Sequence, residues 1–143
     1  MIVITDEFAE RVAAFEGLRT RAYRCAGGVW TIGYGHTGGV KPGQKCTPAQ
    51  AKVWLRADLE AAARGVEALG MELTQGQAEA LTDFAFNLGI GALKGSTLLR
   101  KIRAGAGKDE IQTEFRRWVY AGGEVQKGLV KRREWEAERY FEK

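Results

Sequence analysis

The sequence predicts an α+β fold in which one helix precedes a small antiparallel sheet and a bundle of helices follows. Apolar residues repeat at helical spacing over residues 5–16, residues 22–36 are rich in glycine and strand formers, and helical spacing returns after residue 47. Helices segregated from a small sheet favour a cleft between two lobes. We expect a single domain over 1–143, with a sheet lobe at about 17–46 and a helical lobe formed by the remainder.

The first helix has clear start and stop signals. Thr5, followed by two acids, is a favourable N-cap, and Gly17 is a natural end. Glu16 should therefore be the last residue of this helix. In the stretch that follows, Val29 to Tyr34 have strand propensity, and Gly27 and Gly28 can turn between two short strands.

The second half of the chain predicts helices in succession. Residues 47–50 combine a capping box with proline and begin a long helix that ends near Gly70 and joins the two lobes. Residues 74–77 form a second capping box, and the helix behind it should be the most buried. Further helices are expected from Ser96, from Asp109 and over 129–140, the Asp109 helix carrying Ile111, Phe115, Trp118 and Val119.

The charge balance limits the class of partner without identifying it. A net charge of +4 favours anionic partners such as nucleic acid, anionic lipid or an acidic wall polymer. The cations look scattered except for residues 131–133, which alternate with glutamates and should form a solvated helix face. Without a concentrated basic face or a binding motif, a nucleic-acid partner is not expected.

The termini and cysteines point to a cytosolic product. Residues 1–8 have neither a basic start nor a long apolar run, so we expect no signal peptide and no membrane insertion, although a trimmed N-terminal segment stays open. Cys25 and Cys46 are too few for a disulfide framework, and the single histidine excludes the usual metal-ligand spacings. We expect two reduced thiols, no metal and no cofactor; a Cys25–Cys46 disulfide is the open alternative.

Glu16 is the first candidate for chemistry. At the C-terminal end of a helix it meets the negative end of the helix dipole, and its neighbours Phe15, Leu18 and Ala22 are apolar. Both effects favour the neutral acid over the carboxylate, which is what a general acid requires. The alternative is an ordinary solvent-exposed glutamate. Taken singly, Cys25 is equally compatible with a small buried apolar residue, and Thr31 with a residue that only favours the strand.

Taken together, these residues form a specific pattern. Cys25 follows Glu16 after eight intervening residues, Thr31 follows Cys25 after five, and Ile-Gly-Tyr-Gly-His occupies 32–36. This pattern resembles the bacteriophage endolysin-type lysozymes, glycoside hydrolase family 24. The resemblance continues through residues 84–91, 95–99, 118–123, 128–129 and 132–133, and covers about 8–141. It implies a lysozyme-like fold and hydrolysis of the β-1,4 bond between N-acetylmuramic acid and N-acetylglucosamine in peptidoglycan.

The same resemblance implies roles for the three residues. Glu16 would protonate the leaving oxygen, and Thr31 would hydrogen-bond the attacking water. The commoner family pattern has an aspartate where Cys25 stands. This thiol could act as a nucleophile, as an activator of water or as an electrostatic stabiliser, and the resemblance does not choose between these roles. It also leaves the stereochemical course of the reaction open.

Further expectations follow from the resemblance. His36 should form an ion pair with Asp58 on the long helix. Phe86 and Asn87 would line the sugar groove, with helix-end packing as an equal alternative. The implied protein is a monomer that waits in the host cytoplasm until a holin-type pore releases it and then cuts the wall from the periplasm. The competing interpretation is a peptidoglycan-binding module that lost activity through Cys25.

Overall fold

The α+β class is confirmed by a computed structural model that describes residues 1–25 and 27–142. In chain order the elements are α1 (Asp6–Glu16), β1 (Arg19–Arg24), β2 (Trp30–Gly33), α2 (Pro48–Glu67), α3 (Gln75–Leu88), α4 (Ile90–Lys94), α5 (Thr97–Arg103), α6 (Lys108–Arg116), β3 (Tyr120–Ala121), β4 (Glu124–Val125) and α7 (Lys127–Arg139). The strands form two antiparallel pairs, β1 with β2 and β3 with β4.

The chain divides into two compact units. The sheet unit comprises Ile4–Ala61, and the helical unit comprises Met1–Val3 with Ala62–Lys143. Helix α2 contributes to both. The sheet unit is larger than the segment expected at about 17–46, because α1 and the first part of α2 belong to it.

Helix α1 begins and ends where the sequence predicts. The Thr5 hydroxyl accepts a hydrogen bond from the Phe8 N–H at 3.1 Å, which satisfies one of the amides that a helix start leaves unpaired. At the other end, the Gly17 N–H donates to Ala13 O at 3.0 Å. Phe8 and Val12 are buried, so the apolar stripe packs inward and Glu16 is the final helical residue.

The sheet unit contains three extended segments rather than two. Tyr23 of β1 pairs with Thr31 of β2. Residues 44–46 run along the other edge of β1, where the Ala22 N–H donates to Gln44 O and the Cys46 N–H donates to Thr20 O, both at 2.9 Å. These bonds hold β1, which starts at Arg19, between two neighbours.

The core of the helical unit is built around α3. The Thr74 and Gln77 side chains form the predicted capping box, and every residue over 78–85 is buried. The Phe84 ring meets those of Phe115 and Trp118 edge-on, with centroids 6.2 and 5.3 Å away. The predicted burial of this helix is thus confirmed, although it includes the charged residue Asp83.

The C-terminal third differs from the prediction in its detail. Helix α6 begins at Lys108 and ends at Arg116, so Trp118 and Val119 lie beyond it. The chain instead forms the β3–β4 hairpin, whose turn residues Gly122 and Gly123 have φ of 62° and 80°. Two consecutive positive φ angles are typical of a type I′ turn, which glycine adopts without steric cost. The short α4 was not predicted, and α7 starts two residues earlier than expected.

The expectation of a solvated face at residues 131–133 is wrong for Arg132 and Arg133, whereas Lys131 is exposed. Arg132 and Arg133 are 4% and 0% exposed. Arg132 donates to both carboxylate oxygens of Asp83 at 2.9 and 2.7 Å, and Arg133 donates to Glu136 at 2.9 Å. Charged side chains can be buried when they are paired and hydrogen-bonded, which charge alternation along the sequence does not reveal.

Two simple properties of the described chain complete the fold. Across residues 1–25 and 27–142, no helix combines the length and apolar character needed to cross a bilayer. Cys25 and Cys46 are both free thiols and partly buried.

Candidate active site

Cys25 and Thr31 lie together at the turn end of the β1–β2 hairpin. Cys25 directly follows β1, where its N–H donates to Val29 O at 3.0 Å and its carbonyl accepts from the Gly28 N–H at 2.8 Å. Thr31 lies one residue into β2 and is 4% exposed. The tight turn between the strands therefore returns the chain so that the thiol and the hydroxyl are neighbours.

The surroundings of the thiol favour its ionised form. Hydrogen bonds from the backbone N–H groups of Val29 and Gly27 are the main causes that lower the pKa of Cys25. Burial opposes them, and the Thr31 hydroxyl adds a smaller lowering. The Thr31 Oγ1 also lies 3.0 Å from Val29 O. Because a hydroxyl carries one proton, Thr31 donates to the carbonyl or to the sulfur at any moment, and ionisation of Cys25 favours the sulfur.

Glu16 lies against the turn that follows β2. Ile32 and His36 exchange two backbone hydrogen bonds of 2.9 Å, which close a tight turn over 33–35. A β-carbon placed on Gly35 would lie 2.7 Å from Glu16 Oε1 and 3.4 Å from Glu16 Cδ. The carboxyl group thus occupies space that only glycine leaves open. The strand that carries Thr31 leads directly into this turn.

His36 ties the same turn to α2. Its Nδ1 lies 2.8 Å from Asp58 Oδ2, which is the contact that the sequence predicts. The imidazole also stacks on the Trp54 indole, with centroids 4.9 Å apart and planes 13° from parallel. Next to it, a β-carbon on Gly33 would meet Ala51 Cβ at 3.2 Å, so the turn packs closely on α2.

Two of these contributions were missing from the sequence interpretation. The density of glycines in this region predicts close backbone approach, but it does not identify Gly35 as the residue beside the carboxyl group. From the sequence, Trp54 is predicted only to be part of a helix, because no neighbouring residue indicates that it contacts His36.

The other two predicted site residues, Phe86 and Asn87, belong to the helical unit and end α3. Asn87 Oδ1 accepts a hydrogen bond from Arg133 Nη2 at 2.8 Å, and the Arg132 guanidinium lies 5.8 Å from the Phe86 ring centroid. These contacts support the packing alternative for both residues. A role in sugar binding stays a prediction.

Asn87 is part of a buried polar cluster between α3 and α7. Burial, followed by the hydrogen bond to Asp83 and its charge, raises the pKa of Glu136 well above its usual range. Burial also acts on Asp83, but the hydrogen bonds from Glu136 and Arg132 outweigh it and lower the pKa of that carboxyl. The two acids therefore share a proton that resides on Glu136. Arg133 Nε approaches Glu136 Oε1 to 2.9 Å at an angle too bent for a hydrogen bond.

In the part of the chain that the structure describes, no group of three or more histidine, cysteine, aspartate or glutamate side chains is arranged to hold a metal ion. The chemistry available is a thiol with a lowered pKa and a hydroxyl at the hairpin turn, and a carboxyl group against the turn over 33–35.

Comparison with known proteins places this geometry in a family context. The family described as "Phage lysozyme" matches residues 13–136. An endolysin of Bacillus phage B103 is 45% identical over 129 residues, which are 87% of this chain and 49% of that protein. A SAR-endolysin of Enterobacteria phage P21 is 39% identical over 125 residues, 86% of this chain and 75% of the relative. The chain thus spans about half the length of the Bacillus phage endolysins that it matches.

Solved structures agree over the whole chain. The muramidase domain of SpmX from Asticaccaulis excentricus matches with a TM-score of 0.89 and 33% identity, covering 100% of both chains. An endolysin from Escherichia coli O157:H7 phage FAHEc1 matches with a TM-score of 0.82 and 32% identity, covering 97% of this chain and 93% of the other. The lysozyme-like fold expected from the sequence is therefore confirmed.

Proposed function

The chain belongs to the phage lysozyme family, and on this premise we propose that it is an N-acetylmuramidase. Its reaction is hydrolysis of the β-1,4 bond between N-acetylmuramic acid and N-acetylglucosamine in peptidoglycan, which lyses the host cell wall. The observation that carries the proposal is the hairpin with a readily ionised Cys25 thiol beside Thr31 and the Glu16 carboxyl group against its turn. We assign the chain to glycoside hydrolase family 24.

Glu16 is the general acid of the proposed reaction. It protonates the glycosidic oxygen as the bond to the anomeric carbon breaks, so that the leaving sugar departs as an alcohol. The close packing of its carboxyl group on Gly35 supports this role, because proton transfer requires a donor held in one place.

Cys25 acts from the hairpin as a thiolate. Its lowered pKa supports a larger thiolate fraction than an ordinary thiol has, and the sulfur stands where the commoner family pattern has an aspartate. A thiolate can stabilise the cationic sugar, take a proton from the attacking water or attack the anomeric carbon. The Thr31 hydroxyl, which hydrogen-bonds the sulfur, could also donate to a water beside it. The anomer first released from a defined glycan separates attack by sulfur, which retains configuration, from direct attack by water, which inverts it.

The proposed partner is the glycan strand alone, and the proposed enzyme is a monomer that needs no metal or organic cofactor. It acts on the wall from the periplasm, and several relatives of comparable identity are SAR-endolysins. Release from the host cytoplasm by a holin-type pore remains our proposal for delivery. Co-expression with a pore-forming protein should then advance lysis, whereas lysis at the same time without the pore would contradict it.

The decisive experiment compares Glu16→Gln with Glu7→Gln, a matched change at an exposed position of the same helix. Both proteins are added to permeabilised Gram-negative cells and to purified peptidoglycan, and new reducing ends are counted. We expect Glu16→Gln to lose more than a hundredfold in rate and Glu7→Gln to match the wild type. Activity of Glu16→Gln within tenfold of the wild type would remove Glu16 from this role.

The same assay tests the competing interpretation of a binding module. A module without catalysis would sediment with peptidoglycan and release no reducing ends at any enzyme concentration. N-acetylmuramic acid at the new reducing end, identified by mass spectrometry, would exclude that interpretation.

A further inference from the structure

The net positive charge of this chain comes from one segment that contains no acidic residue, although the cations themselves are spread along the sequence. Residues 17–57 contain seven lysines and arginines and neither aspartate nor glutamate. Subtracting these seven charges from the net charge of +4 leaves −3 on the rest of the chain. The whole segment belongs to the sheet unit.

Most of these cations have no acidic partner. Lys52 and Arg56 form ion pairs with Glu10 and Asp6 of α1. The remaining five are exposed, and within residues 1–25 and 27–142 none of them forms an ion pair. We call this set the basic sheet; its members are Arg19, Arg21, Arg24, Lys41 and Lys45.

The sheet holds some of these charges in an unfavourable arrangement. Arg21 lies directly opposite Lys45 where residues 44–46 pair with β1. Like charges at directly opposed positions of an antiparallel pair repel one another. A bound anion removes this repulsion, so the pairing points to a ligand that carries negative charge.

Aromatic rings hold two of the guanidinium groups in place. Arg19 lies 4.8 Å from the Tyr23 ring centroid, and Arg24 lies 5.8 Å from the Trp30 ring centroid. Such contacts reduce the conformational freedom that an arginine loses on binding. The planar fork of arginine suits carboxylate, to which it donates two parallel hydrogen bonds.

The basic sheet is continuous with the proposed active site. Arg24 precedes Cys25, and Tyr23 pairs with Thr31 across the hairpin. Anions carried by the polymer whose bond is cut would therefore reach these cations without a second molecule. This continuity favours a charged group of the substrate over a separate nucleic acid or lipid.

We propose that the basic sheet binds the free carboxylates of the peptides on peptidoglycan, so that the protein binds the carboxylate-bearing glycan in preference to neutral glycan. The inference rests on the proposed function and deepens it, because it names the charged form of the substrate. The binding is reversible and leaves the chemistry of bond cleavage unchanged.

The test compares two double variants with the same change in charge. Arg21→Gln/Lys45→Gln removes the opposed pair, and Arg100→Gln/Lys131→Gln removes one arginine and one lysine from exposed positions of the helical unit. Each is assayed on peptidoglycan, on peptidoglycan whose carboxylates have been amidated, and on glycan strands stripped of peptide, at low and physiological salt.

We expect the Arg21→Gln/Lys45→Gln variant to raise KM about tenfold on native peptidoglycan, with kcat little changed and with a weaker salt dependence. On amidated and stripped glycans it should match the wild type, and the control variant should match it on all three. Equal losses on all substrates, or the same loss in the control, would overturn the proposal.

Binding measured without cleavage separates this inference from the proposed function. Co-sedimentation with peptidoglycan, using Glu16→Gln as the background, reports affinity whether or not the chain is a hydrolase. Amidation of the peptidoglycan carboxylates should lower the affinity of the Glu16→Gln protein about tenfold. It should leave the affinity of the triple variant Glu16→Gln/Arg21→Gln/Lys45→Gln unchanged. Duplex DNA that displaces the protein from peptidoglycan at equal charge concentration would overturn the choice of carboxylate.

Discussion

Glu16 Oε1 lies 2.7 Å from the point that a β-carbon on Gly35 would occupy. The end of α1 and the turn after β2 are thus in contact through a carboxyl group and a backbone that carries no side chain. The His36 hydrogen bond to Asp58 and its stacking on Trp54 fix that turn on α2. The position of the acid therefore depends on the turn as well as on its own helix.

Replacement of Gly35 by alanine should reduce activity more than stability. Gly35 and Gly39 have φ of 78° and 70°, but nothing lies within 4 Å of a β-carbon on Gly39. We expect each alanine to cost about 1–2 kcal/mol in the free energy of unfolding from backbone strain. Only Gly35→Ala should also lose about a hundredfold in kcat, because it displaces the Glu16 carboxyl group.

Urea unfolding and reducing-end release on the two variants check this prediction. A Gly39→Ala variant as inactive as Gly35→Ala would show that backbone strain alone explains the loss. The pH dependence of kcat/KM should also change in Gly35→Ala and stay unchanged in Gly39→Ala.

Alkylation of Cys25 should proceed at lower pH than alkylation of an ordinary thiol. Its pKa is lowered by the Val29 and Gly27 backbone N–H groups and by Thr31, so the thiolate persists below the usual midpoint of about 8.5. In a Cys46→Ser background, the iodoacetamide rate plotted against pH should have its midpoint below that value. Stoichiometric labelling should abolish lysis.

Thr31→Val is the matched test of the hydroxyl, since valine keeps the shape and removes the donor. The alkylation midpoint should rise, and it should remain below that of a free cysteine because the two backbone donors are unchanged. An unaltered midpoint would show that Thr31 donates to Val29 O throughout.

The contact between His36 and Asp58 should contribute to stability. Both side chains are partly buried, with 18% and 32% exposed. A double-mutant cycle with His36→Gln and Asp58→Asn should give a coupling free energy of about 1 kcal/mol by urea unfolding. Additive single effects would indicate that the stacking on Trp54 alone holds the turn.

Replacement of Glu136 by glutamine should change how stability depends on pH. Burial and then Asp83 raise the pKa of Glu136, so the folded protein keeps a proton that the unfolded chain releases above about pH 4.3. This contribution is fully present below that pH and is lost as pH rises through the folded pKa. Glutamine does not ionise, so the stability of Glu136→Gln relative to the wild type should increase with pH.

Urea unfolding at intervals from pH 4 to pH 8 measures this difference. Glu134→Gln is the control. Glu134 lies on α7 like Glu136, but its side chain is 42% exposed and pairs with Arg116 of α6. A constant difference between Glu136→Gln and the wild type across the range would contradict the buried proton.

Much of the fold followed from short-range signals. The caps at Thr5, at residues 47–50 and at residues 74–77 join side chains to amides three residues away, so they are legible in the sequence. The neighbourhood of Cys25 and Thr31 is also local, because one tight hairpin brings them together. The β3–β4 hairpin was missed because strands of two residues show no alternation to detect.

The sequence by itself determined the capped starts of α1, α2 and α3, the α+β class and the spacing of the residues at the hairpin. Tertiary structure decided which charges are buried, since Arg132 reaches Asp83 across 49 residues and looks like a surface cation until α3 and α7 pack together. It also decided that five cations of the sheet unit form no ion pair within residues 1–25 and 27–142, and that Gly35 is the residue beside Glu16. Local patterns report bonds between near neighbours, whereas burial and charge pairing depend on segments that only the folded chain brings into contact.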